Sequence, residues 1–178
     1  RENTAKALTA IYESDGLQFA VAPLGYEILD ANSEQIGVCE DITPLEALAD
    51  VTAVYEIQKN ESVFGYAVAV SPMGFKDNVS MLVAVNADGS AKAVQILSMS
   101  ETKGIGDKVT KSDFLDKFKN KTAGFSDDAA ALSDIVIAGA TRTSEPVTKA
   151  VDTALKQIAA LAGEPKPQKT AVTEEENQ

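Results

Sequence analysis

Residues 51–97 read VTAVYEIQKNESVFGYAVAVSPMGFKDNVSMLVAVNADGSAKAVQIL. Within them, four segments alternate in polarity and are rich in β-branched and aromatic residues, a pattern that predicts strands with one face in a core. These segments are residues 51–58, 63–70, 79–85 and 91–97. The sequence Asn-Ala-Asp-Gly at 86–89 predicts a tight turn between the last two, because Asp-Gly favours hairpin turns. The four strands are therefore expected to form an antiparallel meander.

The sequence before this meander predicts one helix and two weaker strands. Residues 3–14 place Leu8, Ile11 and Tyr12 on one face at helical spacing, which indicates an amphipathic helix. The two weak strand patterns lie at residues 17–22 and 26–29.

Capping residues predict three further helical segments. Thr43 is a candidate N-cap for a single turn at residues 44–49, and Ser112 for a short helix over residues 113–121. Ser144 is expected to open the last helix, because an acid and a proline follow it at positions that suit a first turn. The apolar stripe of the short helix is Phe114, Leu115 and Phe118, and that of the last helix is Val147, Val151, Ala154, Leu155, Ile158 and Leu161.

Together these elements predict an α+β fold, an antiparallel β-sheet with flanking helices. Residues 1–50 are expected to form an N-terminal helix and a mixed segment, and residues 51–163 the main domain. Residues 164–178 are polar and are expected to form a tail. The chain has 178 residues, 44% of them hydrophobic, which is enough for one buried core.

Composition excludes several classes of function. The chain has no histidine, which excludes a Ser-His-Asp hydrolase and a histidine-containing zinc site. Its one cysteine, Cys39, excludes an intrachain disulfide and an iron–sulfur ligand set, and is expected to be a buried apolar residue. The net charge of -11 disfavours binding to nucleic acid. No apolar run approaches the ~18 residues that a membrane helix requires.

The segment at residues 134–141, DIVIAGAT, predicts a site for a phosphate group. Residues 135–137 are expected to form a short strand that leads through Gly139 and Ala140 into the last helix, and these small residues let a bulky group approach the backbone. A helix N-terminus offers unpaired N–H groups and a positive dipole end. Further polar groups there are Thr141, Arg142, Thr143 and Ser144. The alternative is a plain helix cap by Thr143 or Ser144 after a buried strand.

A second segment, SETKGIG at residues 100–106, contains two glycines around one apolar residue. Gly104 and Gly106 would let the main chain lie against a flat ring, while Glu101 and Thr102 would hydrogen-bond the polar edge of a heterocycle. The alternative is an ordinary surface loop between a strand and a helix, since a lone Gly-x-Gly carries little information.

These two segments resemble the motifs of FMN-binding domains. Gly139-Ala140-Thr141, with Asp134 seven residues before Thr141, resembles the family's flavinylation motif, and residues 100–106 look like its SETPGLG segment. The order of strands, hairpin, SET segment, helix and final helix also matches, over about residues 51–162. The family includes the G subunit of the Rnf electron-transport complex and the C subunit of the Na+-translocating NADH:quinone reductase.

The resemblance implies that Thr141 carries FMN through a phosphoester bond, attached by a flavin transferase. The residues that the resemblance places near the cofactor are Thr141, Ala138, Gly139, Ala140, Thr143, Ser144, Glu101, Thr102, Gly104, Ile105 and Gly106. Two positions depart from the family pattern: Ala138 replaces a Ser or Thr before Gly-Ala-Thr, and Lys103 replaces the proline of the SETPGLG segment. Neither departure removes the acceptor hydroxyl.

The resemblance implies an electron-transfer subunit of an ion-translocating membrane redox complex of the Rnf type, without catalytic turnover by this subunit alone. Such a subunit would work with the other subunits of the complex on the extracytoplasmic side of the cell membrane, held by one N-terminal transmembrane helix. Because the chain begins at Arg1, we expect that helix to precede it. The alternatives are the FMN-binding domain of another extracytoplasmic flavoprotein or reductase, and a non-redox binding module.

Overall fold

Seven antiparallel strands form one sheet in the order in which they occur in the chain. The computed structural model describes residues 2–73, 78–99, 115–127, 130, 135 and 141–162. Its strands are β1 (Gln18–Ala22), β2 (Gly25–Leu29), β3 (Gln35–Asp41), β4 (Val51–Lys59), β5 (Ser62–Val70), β6 (Val79–Asn86) and β7 (Ala91–Met99). The long helices are α1 (Glu2–Ile11) and α2 (Thr141–Ala162). Short 3-10 helices lie at Glu13–Asp15, Asp116–Phe118 and Phe125–Asp127. The predicted α+β fold is confirmed.

The predicted meander is confirmed as β4 to β7. Its last hairpin turns at Gly89, whose φ of 95° is one that glycine adopts without strain, and the backbone amide of Asn86 donates to the carbonyl of Ser90. The two weak strand patterns before the meander are confirmed as β1 and β2. The sequence did not predict β3, which joins these two strands to the meander and makes a single sheet.

Helix α1 and the two edge strands close one side of the molecule. Helix α1 packs against both β1 and β7, which are the opposite edges of the sheet, so the sheet curls around the helix. Leu8 and Tyr12 are buried in the core between them, as their helical spacing predicted. An ion pair of 2.9 Å between Lys92 of β7 and Asp15 also joins the far edge of the sheet to the segment after α1.

Helix α2 covers the other face of the sheet, where it packs on β5 and β6. Its predicted apolar stripe is confirmed: five of the residues are buried, and Leu161 is half-buried against the same core. Phe118, from the segment after β7, is also buried in this core and meets Phe125 edge to face with ring centroids 6.2 Å apart.

Three local predictions are wrong. Residues 44–49 form no helical turn. The Thr43 hydroxyl instead accepts a hydrogen bond from the Val54 amide and donates to Asp41, so it holds a loop against β4 rather than capping a helix. Ile135 is helical and buried, not in a strand, because a short apolar run fits a buried helix as well as a strand. The last helix begins at Thr141, three residues before Ser144.

The meander gives the sheet two distinct ends. The loops β1–β2, β3–β4 and β5–β6 lie at one end, which we call the Met99 end because β7 finishes there. The β2–β3, β4–β5 and β6–β7 turns lie at the other end, called the Gly89 end. No helix in the described part of the chain is both long and apolar enough to cross a membrane.

Candidate functional site

Thr141, the residue expected to carry a phosphoester, is the first residue of α2. The first four amides of an α-helix have no carbonyl partner within the helix, and the aligned peptide dipoles make this end positive. A phosphate group esterified to Thr141 would therefore lie at the N-terminus of a 22-residue helix, where N–H groups and the dipole favour negative charge. The N-terminus of α2 therefore favours an anionic group.

Thr143 and Ser144 belong to the first turn of the same helix. Ser144 is fully buried, and its carbonyl accepts a 2.7 Å hydrogen bond from the hydroxyl of Thr148, one turn further along. Pro146 lies inside the helix and has no N–H to donate to the carbonyl of Arg142. The helix can therefore begin before Ser144 and still contain Pro146, but it lacks the backbone hydrogen bond to the Arg142 carbonyl.

Most of the other predicted site residues lie outside the described residues. They are Ala138, Gly139, Ala140, Glu101, Thr102, Gly104, Ile105 and Gly106. The described strand β7 ends at Met99, immediately before the SET segment at residues 100–106.

Buried polar side chains fix α2 on both of its flanks. The carboxylate of Asp152 accepts hydrogen bonds from the amides of Gly124 and Ser126 at 2.6 and 3.0 Å. On the other flank, the Gln157 side chain accepts a 2.7 Å hydrogen bond from the amide of Leu48 in the β3–β4 loop. Sequence reasoning missed both residues, because a polar residue beside an apolar helical stripe looks the same whether it meets water or a buried loop.

A cavity of about 430 Å³ lies beside the C-terminal turns of α2. Leu155, Ile158 and Ala159 line it together with Asp88 and Gly89 of the β6–β7 turn. Along a straight helix, Ile158 is roughly 25 Å from Thr141 at 1.5 Å per residue. The cavity is therefore at the opposite end of α2 from the residue expected to carry the phosphoester.

The thiol of Cys39 is buried, as the sequence predicted, and burial raises its pKa to about 12. A thiol that stays protonated at neutral pH is a poor nucleophile and a poor metal ligand. In the described part of the chain, no group of three or more Cys, Asp or Glu side chains is arranged to hold a metal ion.

Residues 74–156 match the FMN-binding domain family. The matched range contains both the SET segment at residues 100–106 and the segment at residues 134–141. This part of the chain is therefore similar to FMN-binding domains. The matched range takes in the last two strands of the sheet and most of α2.

The chain is also similar to G subunits of oxidoreductase complexes. The G subunit of the proton-translocating ferredoxin:NAD(+) oxidoreductase complex of Clostridium ljungdahlii is 33% identical over 113 residues, which cover 61% of this chain and 61% of the relative. The G subunit of the ion-translocating oxidoreductase complex of Aliivibrio fischeri is 30% identical over 135 residues, 70% of this chain and 64% of the relative. The G subunit of the ion-translocating oxidoreductase complex of Shewanella oneidensis is 37% identical over 62 residues, which cover 34% of this chain and 29% of the relative. The chain spans less than two thirds of each of these relatives.

Proposed function

We propose that this chain is an electron-transfer flavoprotein subunit of an ion-translocating oxidoreductase complex in the cell membrane, and that FMN is attached to Thr141. The observation that carries the proposal is the match of residues 74–156 to the FMN-binding domain family, a range that includes Thr141. The similar proteins bear names of G subunits of proton- or ion-translocating oxidoreductase complexes. The names of the relatives support the role as a subunit of a redox complex, and the domain match supports FMN as the cofactor.

The attachment at Thr141 rests on the start of α2. The phosphate would meet the unpaired amides of the first turn, and the Thr141 hydroxyl would be the ester oxygen. Gly139 and Ala140, directly before the helix, would leave room for the ribityl chain because they carry little or no side chain. Asp152 and Gln157 join α2 to the segment after β7 and to the β3–β4 loop, and would thereby fix the position of the attached group.

The SET segment is proposed to supply the second half of the cofactor site. Glu101 and Thr102 would hydrogen-bond the polar edge of the ring, and Gly104, Ile105 and Gly106 would let the main chain lie against it. Bound FMN supplies the redox chemistry of an isoalloxazine ring, which accepts and gives up electrons, while the protein positions the ring and sets its potential.

The proposed partners are the other subunits of the membrane complex, together with a flavin transferase that attaches the cofactor during maturation. The domain is proposed to work on the extracytoplasmic side of the membrane. A covalent bond suits that location, because a cofactor lost there would not be replaced from a cytoplasmic pool.

The test is the intact mass of the protein expressed with and without its flavin transferase. With the transferase, the wild-type chain should gain the mass of FMN less one water, and the Thr141→Ala variant should not. The matched control is Thr143→Ala, which removes a hydroxyl two residues away in the same helical turn and should retain the added mass. Fluorescence of the denatured band in a gel reports the same bond independently.

Two results would contradict the proposal. If Thr141→Ala still gains the mass, the acceptor is another residue. If the wild-type chain neither gains mass with the transferase nor binds free FMN, the chain is not a flavoprotein, and the non-redox binding module becomes the better explanation.

A further inference from the structure

Large apolar side chains are exposed mainly at one end of the sheet. Among the described residues, five such side chains are exposed, and four of them lie at the Met99 end: Leu24, Leu45, Leu48 and Met73. Leu24 is 89% exposed, and Leu45 is completely exposed. These four residues, here called the leucine rim, come from three separate loops, so their clustering is a product of the fold and not of a single apolar segment.

The topology puts the three loops side by side. They are the β1–β2, β3–β4 and β5–β6 loops, and successive loops at one end of a meander are two strands apart. With strands about 4.8 Å apart, the rim extends roughly 20 Å from Leu24 to Met73. The fifth exposed apolar residue, Val63, lies at the Gly89 end and is a natural control.

The stretch of chain that carries three of the four rim residues is strongly acidic. Residues 7–58 contain no lysine or arginine. The acidic residues of this stretch that lie at the Met99 end are Glu40 and Asp41, at the end of β3, and Glu46 and Asp50. Two of them, Glu46 and Asp50, lie in the same β3–β4 loop as Leu45 and Leu48. A surface that binds here must therefore combine apolar contact with positive charge.

A cavity of about 520 Å³ opens beside Leu24 at the same end of the sheet. The rings of Tyr26 and Tyr55 line it, edge to face with centroids 5.7 Å apart, and so do Glu40 and Asp41. Aromatic faces and carboxylates together suit a guanidinium or ammonium group on an apolar stem, because the rings attract the cation and the acids balance its charge.

We propose that the Met99 end is the surface by which this chain docks onto another subunit of its complex, and that the partner presents an apolar patch with a lysine or arginine that enters the cavity beside Leu24. The inference rests on the proposed function, since it takes the partner to be a subunit of the redox complex. The last described residue of β7, Met99, is at this same end of the sheet.

An anionic lipid surface is a poorer occupant of the rim than a protein. Membrane-surface binding depends on basic residues that meet anionic headgroups, at about 1 kcal/mol for each lysine or arginine. Glu46 and Asp50 of the β3–β4 loop, and Glu40 and Asp41 beside Leu24, would be repelled by such a surface. Charge complementarity thus favours a basic protein surface.

The test measures binding of the flavinylated full chain to the remaining subunits, purified as a complex from cells that lack this chain. Leu24→Asp and Leu45→Asp should each weaken binding more than about tenfold, the effect expected for a side chain at the centre of an interface. The control Val63→Asp, the same change at the Gly89 end, should leave binding unchanged. All three variants should keep the wild-type melting temperature and the wild-type mass of attached FMN.

A second variant tests the cation in the cavity. Asp41→Asn keeps the side-chain oxygen that accepts from the Thr43 amide but removes the charge. It should weaken binding at low salt and have little effect near 1 M salt, where the Debye length is about 3 Å.

Several outcomes would overturn the inference while the proposed function stands. These are failure of the flavinylated wild-type chain to bind the complex, equal loss of binding for Val63→Asp, and retained binding in both rim variants. Rim-dependent binding to phosphatidylglycerol vesicles, or rim-dependent self-association in sedimentation, would assign the surface to lipid or to a second copy instead. Absence of attached FMN in the wild-type chain would instead count against the proposed function.

Discussion

The carboxylate of Asp152 accepts hydrogen bonds from both the backbone amide and the hydroxyl of Ser126, at 3.0 and 2.6 Å. Asp152 is in the middle of α2 and is almost completely buried, and Ser126 is 26 residues earlier in the chain. The same carboxylate also accepts from the amide of Gly124. One buried charge thus fastens the segment that follows β7 to the helix that begins at Thr141.

Asp152→Asn should lower the free energy of unfolding by about 3 kcal/mol, because hydrogen bonds to a buried charge are strong. The NH2 group of asparagine is also a donor, so it cannot accept the hydrogen bonds that one carboxylate oxygen accepts. Urea denaturation followed by far-UV circular dichroism measures the change. The matched control is Asp127→Asn, which removes an exposed charge paired with Lys156 at 3.1 Å and should cost under about 1 kcal/mol. Equal losses in the two variants would show that the buried hydrogen bonds do not matter.

The stability of the chain should fall as the pH rises above about 9. Burial raises the pKa of the Cys39 thiol to about 12, and the charges of Asp41 and Glu40 act in the same direction. Between the unfolded pKa, near 8.5, and the folded pKa, the folded chain keeps a proton that the unfolded chain loses. The contribution of the thiol to the free energy of unfolding is therefore complete below about pH 8.5. Above that pH it decreases by up to about 1.4 kcal/mol per pH unit.

Urea denaturation at about pH 8.3 and about pH 9.0, under reducing conditions, measures this slope well below the tyrosine pKa of about 10. Burial also raises the pKa of Tyr12 and Tyr55, so these two tyrosines would add to the slope at higher pH. Cys39→Ala should be less stable at both pH values but should show a flatter dependence on pH. A slope unchanged by the substitution would mean that another group titrates in this range.

Gly104→Val should reduce flavinylation or shift the absorbance of the flavin, while the fold is retained. The resemblance to FMN-binding domains places Gly104 against the cofactor, where a branched side chain would push the main chain away from the ring. Intact mass and the visible spectrum measure the effect. A glycine at the Gly89 end supplies the control: Gly89→Asn, in the β6–β7 turn, should leave both signals unchanged. Normal flavinylation and spectrum in Gly104→Val would remove this segment from the proposed site.

The flavinylated domain should be reduced slowly by NADH on its own and rapidly within its complex. The chain has no histidine, and residues 104–106 lack the third glycine of a dinucleotide-binding fingerprint, because Val109 occupies that position. Electrons should therefore arrive from a protein partner. Stopped-flow absorbance, with and without the remaining subunits, measures both rates. Rapid reduction by NADH alone would make the domain a dehydrogenase in its own right.

The sequence by itself determined the regular elements whose side-chain pattern is local. Alternation in β4 to β7, the Asp-Gly turn and the helical spacing of Leu8 and Tyr12 all follow from the direction of successive side chains, which depends only on the element to which they belong. The two segments that resemble FMN-binding motifs are likewise contiguous, and the family match over residues 74–156 contains both. The sequence-based prediction was wrong where one local pattern fits two structures. Thr43 suits a helix cap or a loop contact, and Ile135 suits a strand or a buried helix.

The tertiary structure alone decided which distant groups meet. Gln157 accepts from Leu48 across 109 residues of chain, and Asp152 meets Ser126 across 26. The sequence shows these as ordinary polar residues, because burial depends on what the rest of the chain lays over them. The leucine rim has the same origin: an antiparallel meander sends every second loop to the same end of the sheet, and only that topology gathers Leu24, Leu45 and Met73 on one surface.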